Sequence, residues 1–206
     1  MLTIYGVHRS RASRNIWLAY ELGIPFKQVP VMQRYRLPDP PPAGVVHTKS
    51  PEFLKVNPNG HVPTIDDDGL VLHESLAINL YLAKKQGGPL APANVGEDGE
   101  MAMWSLWAAT ELEALTLSIA QNGEKPETLE ALKGPFAVLD KALAANGWLV
   151  GGRFTVADVN VAEIVRYAAA AKSLFAANPN VKKWYDACVG RPAYRKMWAE
   201  RDQESA

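Results

Sequence analysis

The first 31 residues hold a strand, a helix and a second strand, punctuated so tightly that few topologies fit. Leu2-Thr-Ile-Tyr5 is a β-favouring run closed by Gly6. Ser10-Arg-Ala-Ser-Arg14 leads into Asn15–Leu22, where apolar residues recur at helical spacing. Gly23 suits the left-handed position after a helix, and Pro25 prevents its continuation. Phe26 to Val31 alternates loosely and reads as a strand. Strand, helix and strand over about 30 residues make a βαβ unit with parallel strands and a right-handed crossover.

The next segment completes a small α/β unit. Pro38, Pro40, Pro41 and Pro42 mark residues 37–44 as a surface loop. Ser50-Pro51-Glu52 reads as an N-cap with proline at N1, opening a short helix through Lys55. Val62–Asp66 and Leu70–His73 read as strands joined at Asp67-Asp-Gly69, with a helix over Ser75–Lys85. Gln86 to Gly96 is rich in Gly, Pro and Ala, and no strand pattern follows it. Helical stretches are expected at 101–121, 127–145, 156–172 and 181–189. Thr155-Val-Ala-Asp158 opens one of them with a variant capping box, Asp standing for Glu or Gln. The expected layout is an α/β domain at 1–86, a linker at 87–96 and an all-helical domain at 97–206.

Composition excludes several classes. Lys plus Arg and Asp plus Glu each number 22, a formal net charge of zero. That balance lacks the electrostatic drive of a nucleic-acid or anionic-membrane binder. Cys188 is the only cysteine, so it forms no internal disulfide and no cysteine-rich zinc site, and core packing is its expected role. His8, His47, His61 and His73 show no paired ligand spacing, and no metal is expected. No run of about 18 apolar residues is long enough for a membrane span. Residues 1–6 lack the basic start and apolar stretch of a signal peptide, so a cytoplasmic protein is the expectation.

Five motifs in order resemble the cytosolic glutathione transferases. They are Ser10-Arg-Ala-Ser-Arg14, Asn57-Pro-Asn-Gly-His-Val-Pro63, His73-Glu-Ser75, Phe154-Thr-Val-Ala-Asp158 and Gly190-Arg-Pro192. The resemblance covers nearly the whole chain and is nearest to the theta- and beta-like bacterial types that use a serine. It implies a thioredoxin-like α/β N-terminal domain, an all-α C-terminal domain contributing the electrophile site, and a homodimer. It also implies glutathione as co-substrate with no further cofactor, and a small hydrophobic electrophile as its partner. Two other activities remain open beside it, a glutathione-dependent peroxidase or reductase and a non-catalytic binding module. The absence of a cysteine near Ser10 argues against thiol exchange.

The residues themselves give the site a physical basis. A cis bond costs only about 0.5–1 kcal/mol before proline, and the resemblance implies one at Val62–Pro63, with the Val62 backbone facing the cysteinyl part of glutathione. Glu74-Ser75 lies at a helix start, where free N–H groups and the helix dipole favour an anion. Ser75 would take the ligand α-carboxylate and Glu74 its ammonium; an ordinary N-cap is the alternative. Ser10 is the residue expected to activate the thiol. A free thiol has pKa about 8.5, and lowering it two units takes about 2.7 kcal/mol. One hydrogen bond to a charged acceptor supplies about 1.5–3 kcal/mol. Ser13 and Tyr5 compete for that role, and Arg11 and Arg14 add positive charge nearby. His61 stands where relatives often carry lysine, and with Lys49 or His47 it would meet the glycyl end. For the acid that relatives supply from the partner subunit, only Asp98 and Glu100 lie close in sequence. Trp104 and Trp107 fit an electrophile pocket, a core or a dimer surface equally well.

Overall fold

A computed structural model describes residues 1–204 and contains two compact units. The first is residues 1–82 together with the C-terminal helix; the second is residues 83–191. The expected boundary placed that last helix in the helical half, and the structure places it in the α/β unit.

In the first unit, four strands run in the order β2-β1-β3-β4. They are β1 (Leu2–Tyr5), β2 (Phe26–Val29), β3 (Thr64–Asp67) and β4 (Leu70–His73). The β1 and β2 strands pair in parallel with Leu2 opposite Phe26 and Tyr5 opposite Val29, as the βαβ reading requires. The β3 strand is antiparallel to both β1 and β4, with Tyr5 opposite Thr64 and Thr64 opposite His73. The β2 strand stops short of Val31 because Pro30 has no N–H to donate. The hairpin turn is Asp68-Gly69, both at positive φ, the geometry a tight two-residue connection needs.

Helix α1 (Ala12–Leu22) ends as expected on Gly23, at φ 66°, and buries Ile16, Trp17 and Leu18. Helix α2 (Pro51–Leu54) begins with proline, but the Ser50 hydroxyl does not cap it; Ser50 Oγ accepts from the His47 N–H at 2.9 Å. Helix α3 runs from Ser75 to Gln86.

The helical unit is built from α4 (Val95–Trp107), α5 (Glu113–Asn122), α6 (Pro126–Leu143), α7 (Val156–Val165), α8 (Lys172–Ala177) and α9 (Pro179–Val189). The single helix expected at 101–121 is interrupted by a π-helical turn, Ala108–Leu112, which neither Gly nor Pro signals. The α7 helix is buried over its entire length. Its capping box forms, with Asp158 Oδ2 accepting from the Thr155 N–H at 2.8 Å. Asp158 Oδ1 also accepts from Leu149 N at 3.1 Å and from Trp184 Nε1 at 2.8 Å. Burial pushes the Asp158 carboxyl up to about 6, against these donors. Cys188 is fully buried.

Sequence patterning missed two helices, α8 and α10 (Pro192–Gln203). The second of them belongs to the first unit. It lies on α1: Tyr194 meets Trp17 edge-to-face at 4.9 Å, and Lys196 Nζ stands 4.0 Å from the centre of the Tyr20 ring. Among the described residues, no helix is long and apolar enough to cross a membrane.

Asp158→Ala strands several buried donors at once. Its expected cost is about 3 kcal/mol of stability, with Asp158→Asn recovering part of it through the amide oxygen. Chemical denaturation checks this, and a loss below about 1 kcal/mol would contradict it.

Candidate functional site

Three loops of the first unit carry Ser10, His61 to Pro63, and Glu74-Ser75; Tyr5 lies in β1, Ser13 in α1 and Lys49 just before α2. The β1–α1 connection turns at Gly6, whose φ is 138°. A Cβ at Gly6 would stand 2.8 Å from Ala12 Cβ and 3.4 Å from both Ser10 Oγ and Val62 Cβ. Glycine is therefore required there, and its bareness lets Ser10 and Val62 close in on the same point. Gln28 Nε2 donates to the Gly6 carbonyl at 2.9 Å and fixes the turn from β2.

Ser10 is 7% exposed and its hydroxyl is engaged locally. It donates to the Val7 carbonyl at 2.7 Å and accepts from the Ala12 N–H, at the start of α1, at 3.0 Å. Ser13 is fully buried inside the first turn of that helix. Tyr5 is half-buried, with its ring centre 6.1 Å from that of buried Phe53.

The second loop holds Val62–Pro63, whose peptide bond is cis. Pro63 is buried, Val62 half-buried and His61 exposed. The turn is organised by Asn57, a buried residue whose part sequence reading did not single out. Asn57 Nδ2 donates to the His61 carbonyl at 3.0 Å and to Thr64 Oγ1 at 2.9 Å. Lys49 is exposed, and its backbone N–H donates to His47 Nδ1 at 3.1 Å.

At the third loop, Glu74 is exposed with φ 71°, a left-handed conformation uncommon outside glycine. Its carbonyl accepts the first α3 bond, from Ile78 N at 2.9 Å. Ser75 is buried, and Arg14 Nη1 donates to its Oγ at 3.1 Å. Asn15 Nδ2 donates to the Ser75 carbonyl at 2.9 Å and to Asn79 Oδ1 at 2.7 Å. The first turns of α1 and α3 are thereby tied together. Arg14, 1% exposed, is part of this tie, whereas Arg11 lies exposed.

The β1–α1 connection is also gripped by α10 and by Glu204 immediately after it. Glu204 Oε1 accepts from His8 N and lies 2.8 Å from His8 Nδ1; its Oε2 accepts from Arg9 N at 3.0 Å. Arg201 donates to the His8 carbonyl. Glu200 Oε2 meets His8 Nε2 at 3.1 Å and the Tyr20 hydroxyl at 2.6 Å. Burial opposes a charged His8 imidazole, but Glu204 and Glu200 outweigh it and raise its pKa. Burial likewise works against the Glu204 carboxylate, while His8 and the two backbone donors hold it below its ordinary value. Among the described residues, no cluster of His, Cys, Asp and Glu forms a metal site.

Known proteins carry the same architecture. Residues 9–85 match the glutathione S-transferase N-terminal domain family, and residues 106–192 match the C-terminal domain family. Glutathione S-transferase F13 of Arabidopsis thaliana is 33% identical over 172 residues, covering 73% of this chain and 78% of that relative. The chain belongs to the glutathione S-transferase family. The transferase GstB of Escherichia coli strain K12 is 28% identical over 212 residues, covering 96% of this chain and 97% of GstB. Glutathione S-transferase I from maize, solved with an atrazine glutathione conjugate, superposes with a TM-score of 0.81 at 27% identity and 99% coverage of both chains. The expected fold, a thioredoxin-like domain followed by a helical one, is the one this transferase adopts.

The His8–Glu204 pair has a defined pH window. The raised His8 pKa adds stability that is complete below the ordinary imidazole value near 6.5 and is lost as pH rises through the folded value. The lowered Glu204 pKa adds stability that is complete above about 4.5 and is lost as pH falls through the folded value. The thermal midpoint gap between wild type and Glu204→Gln should therefore be widest between pH 4.5 and 6.5 and shrink on either side. A gap that stays flat from pH 5 to 9 would contradict the charge assignment.

Proposed function

We propose that this transferase ionises the thiol of bound glutathione at Ser10 and presents the thiolate to a small hydrophobic electrophile. The thiol proton passes to water, a C–S bond forms, and a leaving group departs or an activated double bond takes up a proton. The observation that carries the reading is the convergence of Ser10 and Val62 on Gly6, with Ser75 tied to the same helix start through Arg14. The Val62 peptide precedes the β3 ladder, which begins at Thr64, and so lies outside the sheet's own hydrogen bonding. It is the segment offered to the cysteinyl part, with Pro63 closing the turn behind it. Ser75 and the α3 N-terminus take the α-carboxylate, and Glu74, exposed beside them, takes the ammonium. His61 and Lys49, both exposed, are the groups offered to the glycyl carboxylate.

Ser10 must exchange partners to act. Its hydroxyl hydrogen lies on the Val7 carbonyl and has to rotate onto sulfur. A neutral hydrogen bond worth about 0.5–1.5 kcal/mol gives way to a charge-assisted one worth about 1.5–3 kcal/mol. The net preference for thiolate is then about 1–1.5 kcal/mol, close to one pKa unit. The α1 N-terminus supplies a further contribution of some tenths. Burial of Ser13 within α1 and the packing of Tyr5 beside Phe53 favour Ser10 over both. Trp104 and Trp107, edge-to-face at 5.2 Å on α4, offer apolar ring surface for the second substrate. A homodimer is the assembly this reading expects, and α4 leaves Met103 and Leu106 exposed.

Two expectations test it. Ser10→Ala should raise the pKa of bound glutathione by about one unit and slow the neutral-pH reaction about tenfold, with binding little changed. Thiolate absorbance against pH, with Ser13→Ala and Tyr5→Phe as controls, reads this directly; a shift confined to a control would move the role to that residue. Glu74→Gln combined with Ser75→Ala should weaken glutathione binding about fiftyfold. Titration calorimetry measures it, and unchanged affinity would remove this pair from the site.

A further inference from the structure

The β1–α1 connection is held from the far end of the chain at its backbone, not only at its side chains. Glu204 takes the N–H groups of both His8 and Arg9, and Arg201 takes the His8 carbonyl. Arg9 Nε returns to the Arg201 carbonyl at 3.3 Å, and Arg36 Nη1 donates to the Arg9 carbonyl at 2.7 Å. The N–H and carbonyl groups of His8 and Arg9 are thus satisfied without help from Ser10 itself.

That independence matters because the Ser10 hydroxyl is held locally, by Val7 and Ala12. A hydroxyl that leaves the Val7 carbonyl for a sulfur gives up one of the bonds shaping its own turn. The turn keeps its position only if something else holds it. A displacement of about 1 Å at a reacting group can cost up to about a hundredfold in rate. We propose that Glu204, together with Arg201, is the positioning pair for Ser10: Arg201 on α10 and Glu204 just after it hold the backbone ahead of the serine so that its hydroxyl can change partners without the loop moving. Glu204 touches no substrate on this reading; it acts through His8 and Arg9. The inference rests on Ser10 being the thiol-activating residue.

The experiment is a double-mutant cycle of Glu204→Ala and Ser10→Ala in the full chain. It reads the pKa of bound glutathione by thiolate absorbance, together with kcat and the KM for glutathione. Glu204→Ala alone should raise the thiol pKa by half a unit to one unit and lower kcat at neutral pH about fivefold, with KM unchanged. In the Ser10→Ala background, Glu204→Ala should add nothing. Glu204→Gln, which keeps one accepting oxygen, should fall between wild type and Glu204→Ala, and it carries the cycle if the alanine variant does not fold. A shift with Ser10→Ala but none with the Glu204 variants would overturn the proposal, as would shifts that simply add. A rise in KM without a change in thiol pKa would also overturn it and leave Glu204 a merely structural role. Absence of any shift with Ser10→Ala would instead remove the Ser10 assignment, and the positioning proposal with it.

Discussion

The site depends on where the N-termini of α1 and α3 are held, and a buried set of hydrogen bonds holds them. Asn15 bridges the Ser75 carbonyl and the Asn79 side chain, while Arg14 reaches the Ser75 hydroxyl. Asn79 answers by donating to the Arg14 carbonyl at 3.3 Å. In a low-dielectric interior such bonds are strong and their loss is expensive, so the two helix starts keep one relative position. Each start is a local concentration of N–H groups suited to negative charge. On the proposed reading one would serve the thiolate, the other the α-carboxylate, of glutathione.

A second constraint acts on the loop itself. Gly6 has no side chain because Ala12, Ser10 and Val62 occupy the space one would need. The same loop lacks regular structure of its own, and its polar backbone is completed by residues from β2 and from 34–36, and by Arg201 and Glu204 at the end of α10 and just past it. The serine therefore sits on a loop completed by three separated stretches of chain. On the proposed mechanism, in which the hydroxyl trades one hydrogen bond for another, preorganisation of its surroundings would keep that trade small.

Much of this was legible because it is written in local chemistry. Gly23 and Pro25 end α1, Val62–Pro63 is the expected cis bond, Ser75 opens α3, and Thr155 with Asp158 cap α7. What escaped depends on partners distant in the chain. Helix α10 carries Arg195, Lys196, Glu200, Arg201 and Asp202 around a short stripe of Tyr194, Met197 and Trp198. Its packing surface is α1, nearly 180 residues away, and nothing in its own pattern announces that. Arg14 reads as a solvated charge until Ser75 is brought against it. Asn57 reads as a turn residue until the folded loop shows it bonding both His61 and Thr64. The π-helical turn at Ala108–Leu112 has no breaker to reveal it.

The central claim is that the Ser10 hydroxyl exchanges the Val7 carbonyl for the sulfur while its loop stays in place. A high-resolution crystal structure with glutathione bound tests this most directly. It should show Ser10 Oγ within hydrogen-bond reach of the sulfur and released from Val7, with His8 and Arg9 still held by Glu204. A sulfur placed against Tyr5 or Ser13, or a Ser10 hydroxyl still on Val7, would contradict the account.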